Sequence, residues 1–418
     1  MGIDARKIRD LINFARTNSP CHRDLYQKVP IDVSDLEMLP VTDGDEYLRQ
    51  ASQSSTKVLT GPFTDGSILR SGGSTNAPKT CFMTRQELTL SGILLGAAWV
   101  KAGLVVPGDR IANLYSFGGM YGGFQYMNRA IEEAPIPVVH LPLSSNCPLD
   151  QVQREIDTFQ ATVVMASVFH ITRLANQITN SGNPARSVRT ILFAGEKLSN
   201  AVAATWQAAF PSAVIRPSLY ASVDSGGMSV LPQAAPDLRK QDLDIATDPV
   251  YGVLQEATVV ELLADDGSVI REPGIPGHVF VTSLIRRLQP VIRYSSRTFR
   301  YLGRGSRAVK IVSSWLDLAM LKKLVGETLG TDVDGHLQCI IRHEGLASVL
   351  VFRLALLRPV NEDSVREQID AKLRQESLSW QKSREEGRII PLQFEWVDIS
   401  RLVLLESGKL KEVLDERV

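Results

Sequence analysis

Cysteine is scarce and scattered, with Cys21, Cys81, Cys147 and Cys339 spread over 418 residues. No two of them have the spacing of zinc ligands, and no disulfide framework can be drawn, so a reducing cytosol is the expected compartment. An excess of either charge is also missing. Lys plus Arg and Asp plus Glu both number 46, which speaks against a partner held by electrostatics, whether nucleic acid or anionic membrane. The opening Met1-Gly2-Ile3-Asp4-Ala5-Arg6 has no hydrophobic signal core, and Arg6 stands where a myristoylation signal needs Ser or Thr. The most apolar run, Leu88 to Val106, is interrupted by Ser91 and Lys101. It reads as a buried helix and not as a membrane span. No internal repeat or low-complexity segment is present. What remains is a globular chain, long enough for one large domain and a smaller one.

The stretch that carries most chemistry is Ser71-Gly72-Gly73-Ser74-Thr75-Asn76-Ala77-Pro78-Lys79. It lies between two short strand candidates, Ser67-Ile68-Leu69 and Cys81-Phe82-Met83-Thr84. Gly72 and Gly73 let the backbone turn its N–H groups inward. Ser71, Ser74 and Thr75 add donors, and Lys79 adds a positive charge. Such a concavity suits a polyphosphate. By composition alone it reads equally as a polar turn. It is not a Walker loop, because Pro78 stands where glycine must precede the lysine, and it lacks the last glycine of a nucleophile elbow.

Around this stretch, strands alternate with helices. A helix is expected from Ile8, broken at Asn18-Ser19-Pro20. Residues 27 to 66 read as loop and short helix. A helix is expected over Arg85 to Leu104, and strands at Arg110 to Tyr115, Pro137 to Pro142, Ala161 to Val168 and Val188 to Gly195. A helix over Asp150 to Phe159 separates two of them. The alternation predicts βαβ units with a largely parallel sheet. Ligands in such sheets bind at the carboxyl ends of the strands. Two conspicuous pieces lie at such ends. One is Ser116-Phe117-Gly118-Gly119-Met120-Tyr121-Gly122-Gly123-Phe124, which can be read as a tight strand–helix junction. The other is Phe169-His170, whose histidine reads either as functional or as a packed, capping residue. Asp265-Asp266-Gly267 predicts a hairpin turn between two strands. From 307 onward, helices (Leu316 to Thr328, Asp363 to Gln375) and strands (Leu346 to Leu357, Leu392 to Val397) describe a small α+β module.

Taken in order, these pieces resemble the ANL superfamily of adenylate-forming enzymes, closest to its phenylacetate–CoA ligase branch. Residues 71–79 are similar to the family's phosphate-binding loop, with Asn76 in place of a glycine. Ser19-Pro20-Cys21-His22-Arg23 is similar to the branch's opening. Ala194-Gly195-Glu196-Lys197-Leu198 resembles the Gly-Gly-Glu-x-Leu segment beside the adenine. Tyr220-Ala221-Ser222-Val223-Asp224 resembles Tyr-Gly-x-x-Glu, with Asp224 one methylene shorter than the family's acid. Pro290-Val291-Ile292-Arg293-Tyr294 resembles the family's Pro-x-Ile-Arg-Tyr strand, and Gly303-Arg304 matches the Gly-Arg before the interdomain hinge. Ser407-Gly408-Lys409 resembles the motif of the catalytic lysine.

The resemblance implies an α/β fold: a large N-terminal domain of stacked sheets flanked by helices (1–304) and a small, mobile α+β C-terminal lid (307–418). It implies ATP and Mg²⁺, and activation of a carboxylic acid as an acyl-adenylate with release of pyrophosphate. Ser71, Gly72, Gly73, Ser74, Thr75 and Lys79 would hold phosphates. Ala194, Gly195, Glu196, Tyr220, Ala221, Thr298 and Arg304 would line the nucleotide, Asp224 would bind the metal, and Lys409 would be catalytic. Phe117, Tyr121, Phe124, Phe169 and His170 would shape a pocket for an aromatic acid. Coenzyme A, a carrier protein and a downstream reductase are the candidate acceptors, and a homodimer is compatible with the resemblance.

Three departures set this chain apart. Thr298 falls where the family has the aspartate that binds both ribose hydroxyls. Losing a charged acceptor costs about 1.5–3 kcal/mol, or roughly 10- to 100-fold in affinity. Ser306-Arg307 replaces the acidic hinge pair, and Ser313 replaces a glycine that admits a thiol. These traits suit atypical members of the branch, such as those of phenazine-type antibiotic pathways. They also leave two alternatives: an acyl-CoA ligase or acyl-protein synthetase, and a degenerate protein that binds an acyl ligand without catalysis.

Overall fold

In the computed structural model the described residues are 5–51, 56–70, 80–195, 198, 200–231, 241, 249, 251–264, 266–272, 277–300, 308–311, 314–333, 335–344, 347–355, 361–376, 378–385, 387, 389–404 and 410–416. The chain divides into two compact units, residues 1–197 with 206–305, and 198–205 with 306–418.

The first unit begins with α1 (Ala5–Asn18) and α2 (Pro20–Leu25), separated at Ser19. Leu11, Ile12 and Ala15 are fully buried on one face of α1. Pro20 opens α2, where its missing N–H costs nothing. β1 (Thr42–Asp43) and α3 (Gly44–Arg49) follow, then the antiparallel hairpin of β2 (Ser67–Arg70) and β3 (Thr80–Met83). α4 (Arg85–Lys101) starts on a full capping box, with Thr84 and Glu87 each bonding the other's backbone N–H.

The alternation predicted from the sequence then runs β4 (Arg110–Asn113), α5 (Gly122–Glu132), β5 (Val139–Leu141), α6 (Leu149–Thr158), β6 (Val163–Ser167), α7 (Val168–Ser181), β7 (Thr190–Ala194), α8 (Asn200–Ala209) and β8 (Val214–Pro217). The five strands form a parallel sheet in the order β5-β4-β6-β7-β8. Every residue of β6 is buried, the pattern of a parallel strand covered on both faces. α4 and α5 touch closely because Gly92 and Gly96 lie one turn apart. A Cβ on Gly96 would come 2.5 Å from the Ala130 carbonyl oxygen.

Three antiparallel strands come next, β9 (Tyr220–Ser222), β10 (Gly226–Val230) and β11 (Gly252–Val253), in the order β11-β10-β9. A mixed sheet, β1-β14-β13-β12, contains β12 (Thr258–Leu263), β13 (His278–Ser283) and β14 (Tyr294–Arg300), with β1 parallel to β14.

The structure corrects two expectations here. The turn at Gly267, with φ +83°, closes a short antiparallel contact, the bridge from Leu263 to Val269 with Ala264 N–H on the Ser268 carbonyl and Ile270 N–H on the Leu262 carbonyl, and among the described residues no named strand follows it before β13. The ladder partner of β12 begins at His278. The expected strand at Pro290 begins only at Tyr294. Pro290 has no N–H to donate, and Arg293 sits at φ +42°. The buried Arg293 guanidinium instead bonds the Leu39 carbonyl at 2.6 Å and pairs with Glu261 at 3.1 Å. Burial raises the pKa of Glu261 and the arginine opposes that rise.

The second unit holds the hairpin β15 (Ala308–Ile311) and β16 (Ser314–Asp317), then α9 (Leu318–Leu329), β17 (Leu337–Glu344), β18 (Ala347–Leu354), α10 (Glu362–Glu376), α11 (Leu378–Glu385), β19 (Gln393–Trp396) and β20 (Val413–Asp415). Its sheet runs β19-β18-β17-β20. Leu321, Val325, Phe352, Ile369, Leu373 and Trp380 share its core. The four cysteines are free, and among the described residues no helix is long and apolar enough to cross a membrane.

Glu87 does more than cap α4. Its carboxylate accepts from Thr84 N at 2.8 Å, Arg287 N at 2.5 Å and Leu288 N at 2.8 Å, while 5% exposed. Glu87→Ala would strand buried donors, each costing about 1–3 kcal/mol. The expected result in urea unfolding is a loss of ~3 kcal/mol or more. A variant within ~0.5 kcal/mol of the parent would contradict this account.

Candidate active site

The parallel sheet reverses its strand order between β4 and β6, since β5 lies on the far side of β4. The carboxyl ends beside such a switch point form the usual ligand crevice of an open α/β sheet. Leaving β4, the chain enters a constrained turn: Gly118, Gly119 and Met120 have φ of +108°, +54° and +61°. The two glycines tolerate this, whereas Met120 is strained. The turn delivers Tyr121 as the N-cap of α5. Phe117, 63% exposed, meets Phe124 edge to face at 5.2 Å.

Leaving β6, Ser167 caps α7, so Phe169 and His170 occupy the helix's first turn. His170 Nδ1 lies 2.9 Å from Ser167 Oγ. Ser167 is the cap, and His170 is a packed, buried ring bonded to the cap's hydroxyl. Ala194 ends β7, and Gly195 follows at φ +89°, a left-handed conformation that glycine adopts without strain.

Two separated pieces of sequence meet here. Arg70, the last residue before the 71–79 loop, donates its N–H to the Met120 carbonyl at 2.7 Å and bridges to Tyr121. Leu69 packs where a Cβ on Gly122 would come within 3.2 Å. The stem of the loop therefore stands against the aromatic–glycine turn. On the other side, Leu69, Met83 and Leu88 form a small core with Tyr126 and Val223. The turn joining β9 to β10 carries Asp224.

Asp224 is 4% exposed. Its Oδ2 accepts from the Tyr294 hydroxyl at 2.5 Å. Burial, and then the adjacent Asp224 charge, push the Tyr294 phenol far above its ordinary range, so it stays a donor. Arg286, 1% exposed, holds the Asp224 carbonyl at 3.1 Å, the Phe82 carbonyl at 3.0 Å and Gln289 Oε1 at 3.2 Å. Gln289 in turn accepts from Phe82 N at 2.8 Å. Tyr126 accepts from Gly227 N at 3.1 Å and closes the same neighbourhood. Tyr220, half-buried in β9, packs on Tyr251 at 5.5 Å, and Ala221 pairs with Gly227.

Tyr294, Arg286, Tyr126 and Glu87 were not singled out from the sequence. Only Glu87 had a readable local signal, its Thr-x-x-Glu spacing. The others act through contacts made far along the chain. Ser71, Gly72, Gly73, Ser74, Thr75, Lys79, Glu196, Arg304, Ser313 and Lys409 lie outside the described residues, as does the Thr298 side chain, although its backbone belongs to β14.

The residues present fit Mg²⁺ as a nucleotide companion. Among the described residues no three His, Cys, Asp or Glu gather into a metal cage. Magnesium needs none, since it is commonly held by one or two carboxylates, substrate phosphates and water. Asp224 supplies a carboxylate close to the stem of the 71–79 loop.

No family model and no curated protein matches this chain. Solved structures do. The 2-hydroxyisobutyryl-CoA ligase in its postadenylation state, in complex with R3-HIB-AMP, aligns with a TM-score of 0.71 at 14% identity, covering 99% of this chain and 88% of that one. The same ligase in its thioesterification state, with 2-HIB-AMP and CoA, aligns at 0.63 and 15% identity over 99% and 89%. The amide bond synthetase McbA from Marinactinospora thermotolerans aligns at 0.50 and 12% identity over 82% and 67%. These neighbours are ANL-superfamily adenylate-forming enzymes, and theirs is the fold of this chain, along nearly its whole length for the ligase and four-fifths of it for McbA.

Two buried histidines in this unit give the fold a pH dependence. Burial lowers the pKa of His22 from 6.5 to about 4. Burial, then Arg173, lowers that of His170 from 6.5 to about 4. Both fold as neutral rings, so their contribution is complete above 6.5 and is lost as pH falls toward 4. At pH 5 each should have cost ~2 kcal/mol of stability. Denaturant midpoints measured from pH 7.5 to 5 should fall, and fall less steeply in His170→Asn. Identical slopes in the two proteins would refute the assignment to His170.

Proposed function

We propose that this chain is an adenylate-forming ligase that activates an aromatic carboxylic acid with ATP. The observation that carries the reading is the convergence just described: the ends of the strands flanking a Gly/Ser/Thr/Lys stretch, an aromatic–glycine turn and a buried aspartate, in a fold shared along its length with a ligase crystallised with acyl-adenylates.

The chemistry demanded is attack of a carboxylate oxygen on the α-phosphorus of ATP. The bond between the α-phosphorus and the bridging oxygen breaks, and pyrophosphate leaves. The barrier is repulsion between anions, so the protein's task is charge neutralisation and alignment. Ser71, Ser74, Thr75 and the backbone N–H groups of Gly72 and Gly73 would grip the β- and γ-phosphates, with Lys79 beside them. Mg²⁺ bound through Asp224 would supply further positive charge to the phosphates. Gly195 and Tyr220 would flank the base and acyl group, with Ala194, Glu196, Ala221 and Arg304 completing the nucleotide wall. Lys409 would bridge the carboxylate and α-phosphate.

Phe117, Phe124 and Tyr121 support an aromatic substrate, because a flat apolar group stacks well beside an edge-to-face ring pair. Phe169 and His170 would close the base of that pocket. A place in phenazine-type antibiotic biosynthesis, with transfer to a reductase, follows the departures at Thr298 and Ser313. Coenzyme A is the alternative acceptor, favoured by the neighbour crystallised with it.

The test is pyrophosphate–ATP exchange with Mg²⁺ and a panel of aromatic acids. Exchange dependent on one acid is expected, and Lys409→Ala should lower it at least 100-fold. Thr298→Asp should tighten ATP about 10-fold or more by restoring a charged acceptor. Absence of exchange at millimolar ATP, together with calorimetric binding of an acid, would favour a non-catalytic binding protein.

A further inference from the structure

The adenylation reading leaves one feature unexplained. Asp224 is buried, and its carboxylate is held by a residue 70 positions away in a different sheet. Its backbone is held separately, by a buried arginine that also holds β3. We propose that Tyr294 is a positioning residue for Asp224: with Arg286 securing the backbone of the turn, it fixes the carboxylate so that an aspartate can serve as the magnesium–nucleotide ligand. The inference rests on the adenylation reading and adds to it a residue, a contact and a cause.

The argument starts from reach. An aspartate carboxylate stands one bond from Cβ, so its oxygens can be re-aimed only by turning χ1 and χ2 or by moving the backbone. The hydrogen bond from Tyr294, at 2.5 Å, settles where Oδ2 lies. The contact from Arg286 Nη1 to the Asp224 carbonyl, at 3.1 Å, settles where the backbone lies. Together they remove the freedom that a short ligand would otherwise lose on binding, which is the meaning of preorganisation.

Tyr294 is itself immobile. It is fully buried, packs edge to face against Tyr47 at 6.0 Å, and stands at the start of β14, where Thr42 is its parallel partner. Gly44 is tight against it: a Cβ there would come 2.8 Å from the Tyr294 ring and 2.4 Å from the Ser295 carbonyl oxygen. The phenol is thus aimed by β1, α3 and β14 together. Arg286 makes no ion pair among the described residues, and its Nε has no hydrogen-bond partner there. Its charge is held by neutral carbonyl and amide oxygens, and it remains a source of positive potential beside Asp224 and the strand that leaves the 71–79 loop. A positive charge in that place favours an anion there.

The test compares Tyr294→Phe with Tyr47→Phe. The first keeps the ring and removes the donor to Asp224. The second removes an equally buried hydroxyl of the same cluster, which donates to the Pro290 carbonyl at 2.5 Å. Binding of Mn²⁺·ATP to the full chain is measured by water-proton relaxation, and Mg²⁺·ATP by calorimetry, with thermal melts alongside. Tyr294→Phe is expected to weaken metal–nucleotide binding about tenfold or more. Tyr47→Phe is expected to lower the melting temperature while leaving that affinity within twofold. Adding Asp224→Glu to Tyr294→Phe should recover much of the loss, because the longer acid reaches without being held.

Equal losses in the two tyrosine variants, or none in Tyr294→Phe, would overturn the positioning role while leaving adenylation standing. If the parent protein shows neither metal–nucleotide binding nor pyrophosphate exchange, adenylation fails and the positioning role fails with it.

Discussion

A guanidinium with almost no solvent contact holds the candidate site together. Arg286 donates to the carbonyls of Asp224 and Phe82 and to the side chain of Gln289, which accepts from Phe82 N in return. Three stretches of chain that never neighbour one another in sequence are thereby fixed to within a hydrogen bond. Buried charge is costly unless it is hydrogen-bonded, and both Nη atoms of Arg286 find oxygens. The positions of β3 and of the Asp224 turn are therefore constrained by the need to satisfy Arg286.

The neighbouring contacts repeat this logic with other chemistry. Glu87 gathers the N–H groups of Arg287 and Leu288, next to Arg286, and joins them to the start of α4. Arg293 ties the entry to β14 to the Leu39 carbonyl and to Glu261. Tyr294, the next residue, carries the phenol that meets Asp224. Within eight residues, 286 to 293, the chain spends two buried arginines and a proline on irregular backbone, and a regular strand starts only afterwards. The irregularity is not slack. Each turn of it delivers a side chain or N–H to a different element.

The aromatic–glycine turn after β4 shows the same trade between regularity and placement. Three successive residues with positive φ, one of them Met120, make room for the Arg70 N–H to reach a carbonyl. That contact sets the loop stem beside Phe117, Tyr121 and Phe124. A site assembled this way has its charged and apolar walls on separate elements, so each can vary without the other.

Much of the architecture was legible in the chain itself, because it depends on local periodicity. The β-branched run from Ala161 to Val168 read as a strand, and β6 lies within it; Asn18-Ser19-Pro20 read as the end of a helix, and α1 stops at Asn18. The parallel alternation was readable for the same reason, whereas Asp224 was picked out by its resemblance to a family motif and not by periodicity. The tertiary structure alone decided that Tyr294 would meet Asp224 and that Arg286 would hold its backbone. It also decided that β12 would bypass the Gly267 turn to pair with β13. Those outcomes depend on which distant groups remain unsatisfied once the sheets have packed, and a linear pattern holds no record of that.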